Sequence, residues 1–240
     1  MKKSMLLILG CAFLFACGFA GPAPSAPAVS APSASSVSIP SASPDIYMID
    51  NFENGDYTTN PVWWKFDNVT ATVVGNLNYA SGDPAVVKEI GKYSLSITGD
   101  TSNWYAGGMG TYLAKKNNDL GNYNAIQMDV FGNGPGSGTI KIELVDDDKG
   151  NWQVEQDSKG VPLYDDQFVY NTTVDWAGWK RLVIPFSDFT LDNPGHGDGV
   201  LDVSQKNGKG GLLQMQLIFI ASKQVGSLRF NIDNLSLVKK

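Results

Sequence analysis

The chain has 240 residues with 18 bases against 24 acids, and only Lys2 and Lys3 of these charges precede residue 45, so residues 45–240 carry a net charge of −8. A domain of that sign repels phosphate backbones and anionic lipid, which argues against nucleic acid as a partner. With His196 as the single histidine and no cysteine beyond Cys17, most thiol, zinc and triad chemistry is also removed, and composition favours a binding protein over a catalyst.

Taken in chain order, Met1 to Ser4 are short and basic and Met5 to Ala16 are almost wholly apolar. That layout is a secretory signal, and the apolar run is shorter than the roughly 20 residues a membrane-spanning helix needs. Leu14-Phe15-Ala16-Cys17 resembles the bacterial lipobox, which makes 1–17 a lipoprotein signal peptide with Cys17 as the lipidated residue. Ordinary cleavage near Gly18-Phe19-Ala20 is the alternative. Residues 18–44, rich in Pro, Ala and Ser, cannot bury a core, and they read as a disordered tether leaning towards extended polyproline II. The expected product is exported and held to a membrane by its lipid alone, facing the cell surface or the periplasm.

Residues 45–240 are ample for one core, and period-2 alternation dominates them. Ile126, Met128 and Val130 alternate with Gln127 and Asp129. Ile140, Ile142 and Leu144 alternate with Lys141 and Glu143. Leu213, Met215, Leu217 and Phe219 alternate with Gln214 and Gln216, and Leu228, Phe230 and Ile232 with Arg229 and Asn231. Such strands bury one face. Turn signals separate them at Gly132–Gly136, Asp148–Asn151 and Asn193–Gly195, and no amphipathic helix or repeat stands out. The pattern predicts an all-β, antiparallel β-sandwich of jelly-roll type with about ten strands. After Ile232 the apolar phase slips by one residue, to Leu235 and Leu237, which predicts a β-bulge at Asp233-Asn234.

Six tryptophans are a high load for one sandwich. The axial C–H face of a sugar packs on an indole while polar side chains hydrogen-bond its hydroxyls, so a few exposed aromatics beside Asp, Gln or Asn suit a carbohydrate site. Trp179 opens the strand 179–184 and reads as core. Trp104, in a Gly- and Asn-rich stretch, is the tryptophan expected to be exposed. The polar strand positions at Gln127, Asp129, Lys141, Glu143, Gln214 and Gln216 either line a binding face or a solvated outer face. Asp146-Asp147-Asp148-Lys149-Gly150-Asn151 matches a calcium loop poorly and reads better as a hairpin turn with solvating acids. A structural calcium site is expected instead from Asp50 and Glu53, on the first strand, with Asp233 at the bulge on the last, since hard oxygen ligands suit that ion. His196 has no nucleophile in a recognisable setting, and no carboxylate pair stands out for glycoside hydrolysis, so no enzyme is expected.

Three stretches together resemble the galactose-binding-like jelly rolls: Ile49-Asp50-Asn51-Phe52-Glu53-Asn54-Gly55, then Trp179-Lys180-Arg181-Leu182-Val183-Ile184-Pro185-Phe186-Ser187-Asp188-Phe189, and the closing Asn231-Ile232-Asp233-Asn234-Leu235-Ser236-Leu237. Their order is similar to that in carbohydrate-binding module family 11, and in the complex I assembly factor family that shares the fold. The first resemblance implies non-catalytic binding of a β-glucan-like polysaccharide. Its cleft aromatics fall on Phe66 and Trp104, and its cleft acids near Asp148, just ahead of Trp152, and near Asp192. Its late-strand Asp falls on Gln214 and its late-strand Tyr on Ile220, while its Arg and Tyr after the middle stretch meet Thr190, Leu191 and Asn193. The family's calcium site also implies Asp50, Glu53 and Asp233. The expected ligand-binding set is therefore Phe66, Trp104, Asp148, Trp152, Asp192 and Gln214. The second resemblance implies the alternative, a protein-interaction or assembly module of the cell envelope without sugar binding.

Overall fold

A computed structural model of the chain describes residues 45–240; the signal segment, Cys17 and the tether at 18–44 lie outside the described residues. The alternating segments form twelve antiparallel strands in two six-stranded sheets. In the first sheet β3 (Thr70–Gly75), β4 (Tyr93–Thr101), β12 (Gly226–Val238), β6 (Ala125–Asn133) and β9 (Ala177–Pro185) follow one another, and β1 (Ile46–Asp50) lies against the second half of β12. The second sheet runs β10 (Thr190–Leu191), β8 (Gln167–Val174), β7 (Gly138–Asp147), β11 (Gly211–Ile220), β5 (Tyr105–Tyr112) and β2 (Trp64–Asp67). The all-β jelly-roll sandwich is thus what the alternation predicted. The one α-helix among the described residues, α1 (Pro84–Val87), is a single turn, capped by the Asp83 carboxylate on the Ala85 N–H. Among those residues no helix is long and apolar enough to cross a membrane.

The core lies where the apolar rows of the two sheets meet. Ile97, Ile126, Met128, Val130, Phe230 and Ile232 come from one sheet, and Ile140, Ile142, Leu144, Met215, Leu217 and Phe219 from the other. Phe219 and Phe230 meet edge to face across the interior at 5.5 Å. Each such side chain, fully withdrawn from water, contributes about 1.5–3 kcal/mol, so these alternating rows outweigh any local propensity. The register of β12 against β6 slips between Asp233 and Ser236, the predicted bulge, with Asn234 in a left-handed conformation at φ 47°.

Part of the outer face of the first sheet is covered rather than solvated. The segment from Asn76 to Gly91 crosses it, and Trp179 packs there with Val86, Phe131 and Tyr79 while its Nε1 donates to the Tyr79 carbonyl at 2.6 Å. Gly82 passes so close to the Trp179 backbone that any side chain at 82 would collide with it. Asp129, one of the polar strand positions, is accordingly fully buried, held by Arg181 through two hydrogen bonds of 2.7 and 2.8 Å.

Candidate functional site

The second sheet keeps an open outer face, and its register builds a groove there. Trp64 of β2 stands opposite Gly110 of β5, which pairs with Gln216 of β11 and so with Glu143 of β7. One step along, Phe66 stands opposite Gly108, then Ile218, then Lys141. Because β5 presents Gly108 and Gly110 in these rows, the rings of Phe66 and Trp64 lie over its bare backbone, where a Cβ at either glycine would strike them. The two aromatics are two positions apart on one strand and therefore share one face. With Tyr105, Gln167 and Asp192, these side chains line a groove of about 560 Å³, walled at one side by Gln156 and Lys159–Val161.

The polar groups of the groove are tied to one another. Lys141 Nζ sits between the Glu143 carboxylate at 2.9 Å and Asp192 at 3.0 Å. Burial pulls the Lys141 pKa down, but hydrogen bonds and charge from Glu143 and Asp192 outweigh it and hold the ammonium above its ordinary range. Tyr105, about half exposed at the rim, donates its hydroxyl to Asp67; burial first, and then that carboxylate, raise its pKa well above the phenol range. Gln216 Nε2 donates to Gln214 Oε1 at 2.7 Å. Beyond Trp64 lies a second concavity of about 640 Å³ lined by Val62, Pro61 and Tyr112, whose ring is 5.2 Å from the indole.

Of the residues expected from sequence to bind ligand, Phe66 and Asp192 line this groove. Gln214 lies behind it, buried, as the partner of Gln216. Trp104 is 47% exposed, as expected for that tryptophan, but it sits in the β4–β5 turn at φ 63° and does not line the groove. Asp148 and Trp152 lie instead in a separate cluster of acids. The groove's other members, Trp64, Tyr105, Lys141, Glu143 and Gln216, were each visible as an aromatic or an outward strand position. The signal that groups them is the shared period of two in Trp64/Phe66, Gly108/Gly110, Lys141/Glu143 and Gln216/Ile218, and it becomes readable once the strand order is known.

The cluster corrects the reading of Asp146–Asp148 as solvating acids of a hairpin turn. Asp146, Asp147, Asp165 and Asp166 are all buried, because loops from 162–166 and 198–202 close over the end of β7. Asp147 is satisfied by the N–H groups of Asn151 and Trp152. Its neighbours use one oxygen each: Asp146 accepts the Asp202 N–H, Asp165 the Asp148 N–H, Asp166 the Gly199 and Val200 N–H groups, and Asp148 the Lys209 ammonium at 2.9 Å. The second oxygen of each of these four is buried without a partner. Burial pushes the Asp146 carboxyl up to about 8 against the Asp202 N–H, with the charges of Asp148, Asp166 and Asp202 adding to the rise. Burial and then the Asp147 charge push Asp165 up to about 6. Two triads, Asp146/Asp148/Asp202 and Asp148/Asp166/Asp198, bring their oxygens within 4.8 Å of one another, so these acids could hold a metal ion.

The calcium set expected from the first and last strands fits less well. Asp50 spends both oxygens on the fold, one on the Phe52 N–H at 2.8 Å and one on the Trp63 indole N–H at 2.9 Å. Glu53 accepts the Tyr93 N–H, and of the three only Asp233 keeps a buried oxygen without a partner. The sequence could not show this, because one of the donors that claim Asp50 is the Trp63 indole, brought back to it by an irregular turn.

A scan against protein-family models and a search of curated proteins return no match. Among solved structures, the chain is similar to a family 11 carbohydrate-binding module from Clostridium thermocellum in complex with a β-1,3-1,4-mixed-linked tetrasaccharide, at 20% identity over 82% of this chain and 98% of that one, with a TM-score of 0.49. It is also similar to the C-terminal family 22 module of Clostridium thermocellum Xyn10B, at 17% identity over 82% and 95% of the two chains and a TM-score of 0.42. A third likeness is to the CBM22-2 xylan-binding domain of Paenibacillus barcinonensis Xyn10C, at 13% identity over 79% and 97% with a TM-score of 0.40. These likenesses concern the fold alone.

Proposed function

We propose that the chain is a non-catalytic polysaccharide-binding protein, displayed from a membrane by a lipid on Cys17 and the 18–44 tether, with a β-glucan-like chain as ligand. The observation that carries this reading is the pairing, on one open sheet face, of the aromatic rings of Trp64, Phe66 and Tyr105 with the polar heads of Glu143, Gln216 and Asp192. Indole and phenyl faces stack on the C–H faces of sugar rings, and the polar heads exchange hydrogen bonds with hydroxyls. In this reading Phe66 stacks on a sugar ring and Asp192 bonds hydroxyls. Trp64, Tyr105, Glu143 and Gln216 serve beside them, in the places where the sequence alone pointed to Trp104, Asp148, Trp152 and Gln214.

Both carboxylates of the groove are engaged with Lys141, so neither faces the ligand as the free acid that protonates a glycosidic oxygen. Affinity electrophoresis through gels containing β-glucan, xylan, mannan or no glycan tests the proposal. Retardation by β-glucan without release of reducing sugar is the expected result. Free migration in every gel removes it and favours the envelope-assembly alternative, which cross-linking would then have to identify. Mass spectrometry of membrane fractions tests the anchor: an acylated chain beginning at Cys17 is expected, and an unmodified chain beginning after Ala20 overturns it.

A further inference from the structure

We propose that Asp146, Asp148 and Asp166, with Asp198 and Asp202 at the open side, bind a calcium-class divalent cation that braces one wall of the groove. A cluster of acids is not in itself a site. The independent mark here is that Asp146 and Asp166 are 0% and 1% exposed, yet each points one oxygen at no donor, and Asp148 Oδ2 is left in the same state. A buried carboxylate oxygen that makes no hydrogen bond carries a large desolvation penalty, and a cation among several of them removes it for all at once. Asp129, buried as deeply, shows the ordinary solution, with both oxygens taken by Arg181.

The geometry suits an ion. Oxygens within 4.8 Å of one another match ligands placed across a cation at calcium–oxygen distances of about 2.3–2.6 Å. Asp148 Oδ2 and the Asp166 carboxylate converge on the bare backbone of Gly197, where any side chain would collide with both. Lys209 binds Asp148, Asp198 and Asp202, but on Asp148 it takes Oδ1 and leaves Oδ2 for the ion. The donors are all carboxylate oxygens, from the end of β7 and from the loops that close over it, which fits calcium better than magnesium with its strict octahedron.

The link to the groove is covalent and short. Asp166 precedes Gln167, a lining residue, and the Asn193 side chain beside Asp192 accepts the Gln167 N–H and donates to the Asp165 carbonyl. Pinning Asp166 and Asp198 therefore pins the loops that carry Val161, Gln167 and Asp192. This bracing rests on the groove being the binding site; the metal site does not.

The test uses the purified full chain, with thermal melting and metal analysis in excess EGTA or calcium chloride. Calcium should co-purify or rebind and raise the melting temperature by about 5 °C or more at saturation. Asp166→Asn should be at least as stable as the wild type in EGTA, because a buried repulsion is relieved, and should lose the calcium response. Should that variant fail to fold, the exposed Asp198→Asn should need several-fold more calcium for half the response. Asp233→Asn should keep the response unchanged. No response in the wild type, or a response lost in Asp233→Asn and kept in Asp166→Asn and Asp198→Asn, overturns the site. A calcium response with glycan affinity that EGTA leaves unchanged overturns the bracing. A calcium response in a protein with no glycan affinity at all would uphold the site and sink the groove reading.

Discussion

Strand β7 carries two kinds of acid within a few residues. Glu143 points out of the sheet, shares Lys141 with Asp192 and stays in reach of water, while Asp146 and Asp147 lie wholly inside. The first half of the strand keeps strict alternation; the second, from Leu144 to Asp147, is buried at every position. Alternation marks where a sheet face is left open, and its failure marks where other chain segments close over it. When the closed-over residues are acids, something has to compensate their charge. Asp129 on β6 completes the comparison as a buried acid whose compensation is a guanidinium.

The comparison can be broken in several ways, beginning with the largest expected effect. Arg181→Ala should leave the Asp129 charge buried and alone, and unfolding free energy measured in urea should fall by about 3–5 kcal/mol. A loss below 1 kcal/mol would mean that the pair adds little over water. Next comes pH. Burial pushes the Asp233 carboxyl up to about 7; the N–H groups of Asn234 and Gly91 oppose this, and the charges of Asp129 and Glu53 add to it. The folded protein thus keeps a proton that the unfolded chain releases, so this contribution is full below about pH 4 and is lost as pH rises through 7. Between pH 5 and pH 8 the wild type should lose on the order of 2 kcal/mol relative to Asp233→Asn, and parallel pH profiles would contradict it. Smaller still, at pH 9 in EGTA, where the Asp146 carboxyl is ionised, Asp146→Asn should stabilise the domain by about 1 kcal/mol, since it removes one of several mutually repelling buried charges. Destabilisation there would show that the cluster is satisfied as it stands.

How much of this was legible in the sequence follows from the same contrast. The alternating rows of β6, β7, β11 and β12 announced the sandwich, and the slip after Ile232 announced the bulge, because both are local and have a fixed period. Trp179 was readable as core for the same reason. The partners of each strand were not readable. Asp129 and Glu143 look alike in their segments, yet one lies beneath the 76–91 segment and the other lines a groove. Asp146–Asp148 resembled a solvated turn because the loops that bury them lie near 165 and 200, too far along the chain for any short window to include. The groove was half visible: Phe66 and the polar heads stand out in the sequence, but Trp104 draws attention through its expected exposure and the family resemblance, while Trp64 owes its place to the bare glycines across from it.

The most direct test of the groove is isothermal titration of a mixed-linkage β-glucan oligosaccharide into the wild type, Trp64→Ala and Trp104→Ala. Binding by the wild type and Trp104→Ala, with affinity lowered about tenfold or more in Trp64→Ala, is the predicted result. Affinity that survives Trp64→Ala and disappears in Trp104→Ala would place the sugar elsewhere and contradict the account.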